Sequence, residues 1–185
     1  MNMELGSEET FPIAYIDKEY VDLLAKQQSI SNYINTASKI YVDTEKNCFS
    51  VESFKEKGKL FAEFVEIVYE YLPKLAIDSE KGVTITKFAI YLPKSRQLLY
   101  VNAGTRVFIV EAFGRSVYPL VLEGEKVSEH DKIFYIVTNK FEIRAVRAEA
   151  KGIVVYVGDV LDQSENKMMA VIVGEENVIR FSRCD

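Results

Sequence analysis

The chain has 185 residues, of which 48% are hydrophobic and 28% are charged, and its formal net charge is −5. This length and apolar content exclude a disordered or collagen-like chain and allow one ordinary domain or two small ones. Sequence-independent affinity for nucleic acid comes mostly from lysine and arginine, so the acidic balance argues against nucleic acid as a partner. The eleven tyrosines and eleven phenylalanines favour strands, and we expect a soluble, globular, β-rich protein.

The N-terminus and the cysteines indicate the compartment. Residues 1–10 lack the basic and apolar regions of a signal peptide, and the longest apolar runs are too short to span a bilayer. Cys48 and Cys184 lie far apart in sequence and make neither a disulfide framework nor a zinc pattern. We therefore expect a cytoplasmic protein with reduced thiols and no membrane association.

The first hundred residues mix strands with helices. A strand is predicted over 11–16, and Asp17 is placed to cap a helix over 18–29. A hairpin is predicted from strands at 38–42 and 48–51, because the residues between them are rich in turn formers.

The strongest helical pattern covers residues 52–72. Ser53 and Glu56 have the spacing of a capping box, and Pro73 ends the segment. The apolar residues that recur on one face of this predicted helix are Phe61, Phe64, Val65, Val68 and Leu72. We therefore interpret residues 1–104 as an α+β N-terminal domain.

After Gly82 the hydrophobic period changes to two and remains so. Residues 83–91 alternate between apolar and polar, and a turn at 93–95 leads into the next strand at 96–103. Further strands are predicted at 106–112, 117–122, 132–137, 141–148, 152–157, 168–173 and 177–181. Residues 105–185 therefore form the second predicted domain, which is all β.

This second part contains a weak internal repeat. The segment that begins at Gly114 recurs from Gly152, an offset of 38, and the segment that begins at Asp131 recurs from Asn166, an offset of 35. Half-units of this size cannot each bury an apolar face alone, so we expect them to pack together as a flattened barrel or sandwich.

Three motifs in the repeat resemble the biotinyl/lipoyl domain family. They are Gly124-Glu-Lys-Val127, Asp131-Lys-Ile133 and Gly152-Ile-Val-Val155, and the resemblance covers residues 107–173. It implies an all-β barrel-sandwich hybrid fold, with a carrier lysine on the hairpin that joins two half-motifs. The whole chain also resembles an uncharacterised archaeal protein family.

The resemblance places a carrier lysine at Lys140, which lies 16 residues after Gly124. We expect an exposed Lys140 in a turn at 138–141, where Asn139 tolerates a left-handed backbone. Biotin domains flank this lysine with methionines, and lipoyl domains place an acidic residue before it and a small one after it. Because Asn139 and Phe141 match neither pattern, an unmodified lysine is favoured over one that carries biotin or lipoate.

Other candidate residues offer little chemistry. The only histidine, His130, has no second histidine or nearby cysteine with which to hold a metal, and phosphate-binding and nucleophile motifs are missing. Arg144 and Arg147 lie three residues apart, so a regular strand directs them to opposite faces. With Arg115 or Lys140 they could contact an anionic ligand; the alternative is solvated arginines that pair with neighbouring glutamates.

Three hypotheses for function follow. The first is a non-enzymatic binding or scaffold module on an unmodified biotinyl/lipoyl-like barrel, with a protein partner and no cofactor. The second is a carrier protein with biotin or lipoate on Lys140. The third is an enzyme with a site between the two domains, for which the sequence supplies no catalytic set.

Overall fold

The computed structural model describes residues 11–26, 30–53, 61–161 and 166–184. These residues form sixteen strands, two α-helices and three 3₁₀ turns. The helices are α1 Lys18–Ala25 and α2 Leu72–Ala76, and the 3₁₀ turns are Ser31–Tyr33, Tyr69–Tyr71 and Glu175–Asn177. The strands are β1 Ile13–Asp17, β2 Ile34–Asp43, β3 Cys48–Ser50, β4 Ala62–Ile67, β5 Ile77–Asp78, β6 Val83–Thr84, β7 Phe88–Leu92, β8 Gln97–Val101, β9 Val107–Gly114, β10 Ser116–Pro119, β11 Lys126–Val127, β12 Lys132–Val137, β13 Ile143–Arg147, β14 Gly152–Asp159, β15 Asn166–Val173 and β16 Val178–Arg183.

The chain divides into two compact units. The first comprises the described residues of Met1–Ile77, Ile85–Ala103 and Ile179–Asp185, and the second those of Asp78–Thr84 and Gly104–Val178.

The first unit is a closed β-barrel with the strand order β1-β4-β2-β3-β16-β8-β7. It closes where β7 pairs antiparallel with β1, for example at Ala14 opposite Ile90. Alternate residues of these strands point inward and fill the barrel with aromatic rings. The buried cluster comprises Tyr15, Ile40, Val42, Phe49, Phe64, Ala89, Tyr91, Leu98, Tyr100 and Phe181. The Tyr100 and Phe181 rings stack with their centroids 5.2 Å apart, so the abundant aromatic residues serve this core.

The predicted helix over 52–72 is wrong where the structure describes it. Ala62–Ile67 is strand β4, which pairs with β1 and β2, and helix α2 begins only at Leu72. Phe64 lies in the barrel interior while Val65, on the opposite face, is also buried. A strand that is buried on both faces carries adjacent apolar residues, and here their spacing imitates one face of a helix. Residues 54–60, which include Glu56 of the predicted capping box, lie outside the described residues.

The predicted helix near the N-terminus exists but is shorter. Helix α1 ends at Ala25, and the Asp17 side chain accepts a hydrogen bond of 3.1 Å from the Glu19 amide, as a cap does. The helices of the first unit are therefore α1 and the single turn of α2, within the described residues. The predicted fold class, an α+β N-terminal domain followed by a barrel-sandwich hybrid domain, is wrong because residues of the N-terminal part build a closed barrel.

The C-terminal strand completes that barrel. From Ile179 onward β16 belongs to the first unit, where it pairs parallel with β3 through Ser182 opposite Cys48. This pairing brings Cys184 beside Cys48, and the two form a disulfide with Cα atoms 5.0 Å apart. The expectation of reduced thiols is therefore wrong: the cysteines are 136 positions apart in sequence, but the pairing of β16 with β3 brings them together.

The second unit contains two antiparallel sheets of four and three strands, in addition to β6 of the two-stranded sheet β5-β6. One has the order β11-β14-β15-β9 and the other β10-β12-β13. Their shared core comprises Val110, Ala112, Val121, Val127, Ile133, Phe134, Ala148, Val154, Ala170 and Ile172.

The first residues of the two repeated segments, Gly114 and Gly152, have similar surroundings in this unit. A Cβ atom on Gly114 would lie 2.7 Å from the carbonyl oxygen of Val137, and one on Gly152 would lie 2.2 Å from that of Val173. Only glycine allows a backbone to approach a carbonyl so closely, so the two repeated glycines meet equivalent steric demands.

Candidate functional site

The hairpin between β12 and β13 contains the predicted lysine. The Phe141 amide donates to the Thr138 carbonyl at 2.9 Å, and the Thr138 amide donates to the Glu142 carbonyl at 2.9 Å. Lys140 lies within this turn and is exposed. Among the described residues, none of the hydrogen bonds or ion pairs found involves its side chain. The structure therefore confirms the predicted position of the turn and the predicted exposure of Lys140.

Phe141 is the left-handed residue of the turn, with a φ of 62°. Asn139 was expected to take this role. A three-residue hairpin loop commonly ends with a left-handed residue, and glycine is favoured there because it has no Cβ. A bulky side chain in this conformation is unusual and costs conformational energy. The sequence analysis did not identify Phe141 as a functional residue, although its place beside Lys140 was the available signal.

The Phe141 ring is displayed rather than buried. Its residue is 68% exposed, and the Arg115 guanidinium lies 4.5 Å from the ring centroid, within cation–π range. The structure thus brings together two of the predicted site residues, Arg115 and Lys140, because Arg115 contacts the ring of Phe141 and Phe141 directly follows Lys140.

We name the sheet β10-β12-β13, with Arg115 and the turn at 138–142, the hairpin platform. Its register aligns Ser116, Val137 and Ile143 in one row, and Tyr118, Tyr135 and Ala145 in the next row of the same face. The alternate row carries Val117 and Ile136, which pack against the core of the unit. The first two rows therefore face outward, where Ile143 is 73% exposed and Tyr118 is 55% exposed.

A bulge extends this outward face. The register shifts between Lys132 and Phe134, so Lys132 lies opposite Arg147 while Ile133 and Phe134 are both buried. The Lys132 ammonium donates to the Tyr135 hydroxyl at 3.2 Å, which confirms that the two side chains share a face. The outward face consequently combines aromatic, aliphatic and cationic side chains.

The platform is strongly cationic. Residues 115–119 and 132–147 contain five cations, Arg115, Lys132, Lys140, Arg144 and Arg147, against one carboxylate, Glu142. This local excess occurs in a chain whose formal net charge is −5.

The two arginines of β13 have different contacts. Arg144 donates to the Glu142 carboxylate at 2.7 Å, an exposed pair of the kind that the alternative interpretation expected. Arg147 instead donates to the His130 carbonyl at 2.8 Å. Arg144 lies in the row of Ile136 and Arg147 in that of Lys132, so they belong to opposite faces as their spacing predicted.

His130 occupies an exposed turn before β12. Its φ is 73°, its amide donates to the Ala148 carbonyl, and its ring lies 3.7 Å from the Glu129 carboxylate. In the part of the chain that the structure describes, no three histidine, cysteine, aspartate or glutamate side chains converge as metal ligands do. None of the helices in that part is long and apolar enough to cross a bilayer.

Comparison with known proteins places the chain in a family. Residues 10–175 match the family described as "Uncharacterized protein conserved in archaea (DUF2118)". The chain is also 25% identical over 167 residues to "Uncharacterized protein MJ0859" of Methanocaldococcus jannaschii, across 89% of this chain and 95% of that protein. Because the match covers most of its length, the chain belongs to the archaeal family DUF2118.

Proposed function

We propose that this protein is a non-enzymatic binding module whose partner docks on the hairpin platform. The observation that carries the proposal is Phe141, an exposed aromatic residue with a φ of 62° at a position that favours glycine. A fold gains little from an unfavourable backbone that displays a ring to solvent. A binding surface gains an anchor, because aromatic residues contribute much of the energy of protein interfaces.

The surroundings of Phe141 support the same function. Ile143 is the first residue of β13, and Tyr118 lies two strands away, on β10, on the same outward face. Exposed apolar side chains that cluster with polar neighbours are typical of interaction sites. The cations Arg115 and Lys140 border this cluster, as expected at the rim of an interface.

A second candidate function is that of a carrier with a prosthetic group on Lys140. The observation in its favour is the exposed position of Lys140 in the turn, which leaves an amine accessible to amide formation. Biotin or lipoate linked there would supply carboxyl or acyl transfer, and the chain would present the group to other proteins. The biotinyl/lipoyl-like resemblance of residues 107–173 supports this candidate, whereas Asn139 and Phe141 depart from the expected flanks.

Two measurements on protein from its native host separate these functions. We expect the intact mass to equal that of the unmodified chain; an added mass on Lys140 would favour the carrier. We also expect a partner to co-purify with the wild-type chain and with Phe11→Gly, but not with Phe141→Gly. Phe11 makes the matched control, since it is a 79% exposed phenylalanine in the other unit.

Co-purification counts in favour of binding only if the complex re-forms from purified components. A reconstituted complex that forms equally well with Phe141→Gly would contradict the proposal. So would a reconstituted complex that no substitution in the hairpin platform weakens.

A further inference from the structure

We propose that the partner of the hairpin platform is an acidic polypeptide segment that carries aromatic or aliphatic side chains among its carboxylates. This inference rests on the proposed function and adds the chemical class of the partner. It draws on the charge of the platform and on the geometry of its outward face.

The charge selects an anionic partner. Five cations and one carboxylate occupy the platform, and only Arg144 has that carboxylate as its ion-pair partner among the described residues. Arg115 lies against the Phe141 ring and Lys132 contacts the Tyr135 hydroxyl, so within the described residues neither forms an ion pair with a carboxylate. Complementary charge across an interface accelerates association and excludes partners of like charge.

The same charge disfavours a second copy of this chain as the occupant. A twofold interface brings each surface patch against its own copy, which would oppose the cations of one platform to those of the other. We therefore expect the chain not to associate with itself through this face.

The apolar residues favour polypeptide over nucleic acid. Ile143 is 73% exposed and Val137 lies beside it in the same row, so part of the outward face is aliphatic. Aliphatic surface takes up apolar side chains, whereas single-stranded nucleic acid is held by stacking on aromatic planes and by many phosphate contacts. Carboxylates would meet Lys132 and Lys140, and an apolar side chain would lie against Phe141 and Ile143.

Binding to defined polyanions tests the inference with the full-length chain. The probes are a random copolymer of glutamate and tyrosine, polyglutamate, and polyuridylate RNA, each labelled and titrated at low and at high salt. We expect the copolymer to bind at least about tenfold more tightly than polyglutamate, which corresponds to about 1.4 kcal/mol. Both should weaken as salt rises, because salt screens exposed charges.

Variants then locate the site and separate its two components. Phe141→Gly should lower affinity for the copolymer by about tenfold, equivalent to about 1.4 kcal/mol, while leaving that for polyglutamate within about twofold. The double variant Lys132→Gln/Lys140→Gln should weaken the binding of both probes, because it removes two cations of the outward face. The control Lys94→Gln/Arg96→Gln removes two exposed cations from the first unit and should weaken neither.

Three results would overturn the inference: preferential binding of polyuridylate, equal effects of the platform and control variants, or a dimer of the chain that Phe141→Gly dissociates. If the copolymer fails to bind but a reconstituted native complex depends on Phe141, the acidic class is wrong and the proposed function stands. If neither depends on Phe141, both are wrong.

Discussion

Reduction of the Cys48–Cys184 disulfide should lower the free energy of unfolding of the first unit by several kcal/mol. The cross-link stabilises the folded state mainly because it restricts the unfolded chain, and the effect grows with the length of the closed loop. The loop here spans a sequence separation of 136. For that length the chain-entropy relation gives about 5 kcal/mol.

The folded second unit changes this value only slightly. Val107 pairs with Val173, so a folded second unit holds its own ends together and shortens the loop that the disulfide closes. An effective loop of about 70 residues still gives about 4 kcal/mol by the same relation. For a chain of this length, we expect the melting temperature to fall by roughly 8–16 °C.

The assay is guanidinium-induced unfolding followed by far-UV circular dichroism. Oxidised wild-type protein, reduced wild-type protein and the Cys48→Ser/Cys184→Ser variant are compared under the same conditions. The reduced wild type and the double variant should unfold at similar, lower denaturant concentrations, and reductant should not affect the variant. A stabilisation below about 1 kcal/mol would refute the entropic reasoning, because the predicted loop effect exceeds it several-fold.

Three further predictions concern single positions. Phe141→Gly should change the free energy of unfolding by less than about 1 kcal/mol, because relief of the left-handed backbone offsets the added freedom of the unfolded chain; the same titration checks this, and a larger loss would contradict it. Gly152→Ala should destabilise the chain by more than about 2 kcal/mol, because the added Cβ would lie 2.2 Å from the Val173 carbonyl oxygen; wild-type stability of this variant would contradict the close approach. The pKa of Asp78 should lie below 3.8, because the Lys81 amide donates to its carboxylate and the Lys81 ammonium lies 3.3 Å away. A carboxyl with a lowered folded-state pKa stabilises the fold above its unfolded pKa and loses that contribution as the pH falls through the folded value; an NMR titration midpoint at or above 3.8 would contradict it.

Composition and periodicity predicted the β-rich character of the chain well. The tyrosines and phenylalanines that favoured strands do fill a β-barrel, with Tyr15, Tyr100 and Phe181 among them. The hairpin turn at 138–141 was predicted correctly from the biotinyl/lipoyl resemblance, although the strand after it begins at Ile143 and not at residue 141. The prediction of a helix at 52–72 was wrong, because both faces of β4 are buried and its sequence therefore lacks the two-residue period that identifies a strand.

Two features could not be predicted because they depend on tertiary structure. The disulfide requires β16 to return to the first unit and lie beside β3, which no local pattern indicates. The left-handed backbone of Phe141 depends on how β12 and β13 align, and by propensity alone Asn139 was the better candidate. The place of Lys132 on the outward face likewise depends on the bulge between Lys132 and Phe134, which reverses the alternation that the sequence implies.

The central claim is that the hairpin platform is a binding surface. The most direct test is the dissociation constant of the complex rebuilt from purified full-length chain and its native partner, measured for the wild type, Phe141→Gly and Phe11→Gly. We expect Phe141→Gly to weaken binding by at least about tenfold, or about 1.4 kcal/mol, and Phe11→Gly to bind as the wild type does. Equal affinities for all three proteins would contradict the claim.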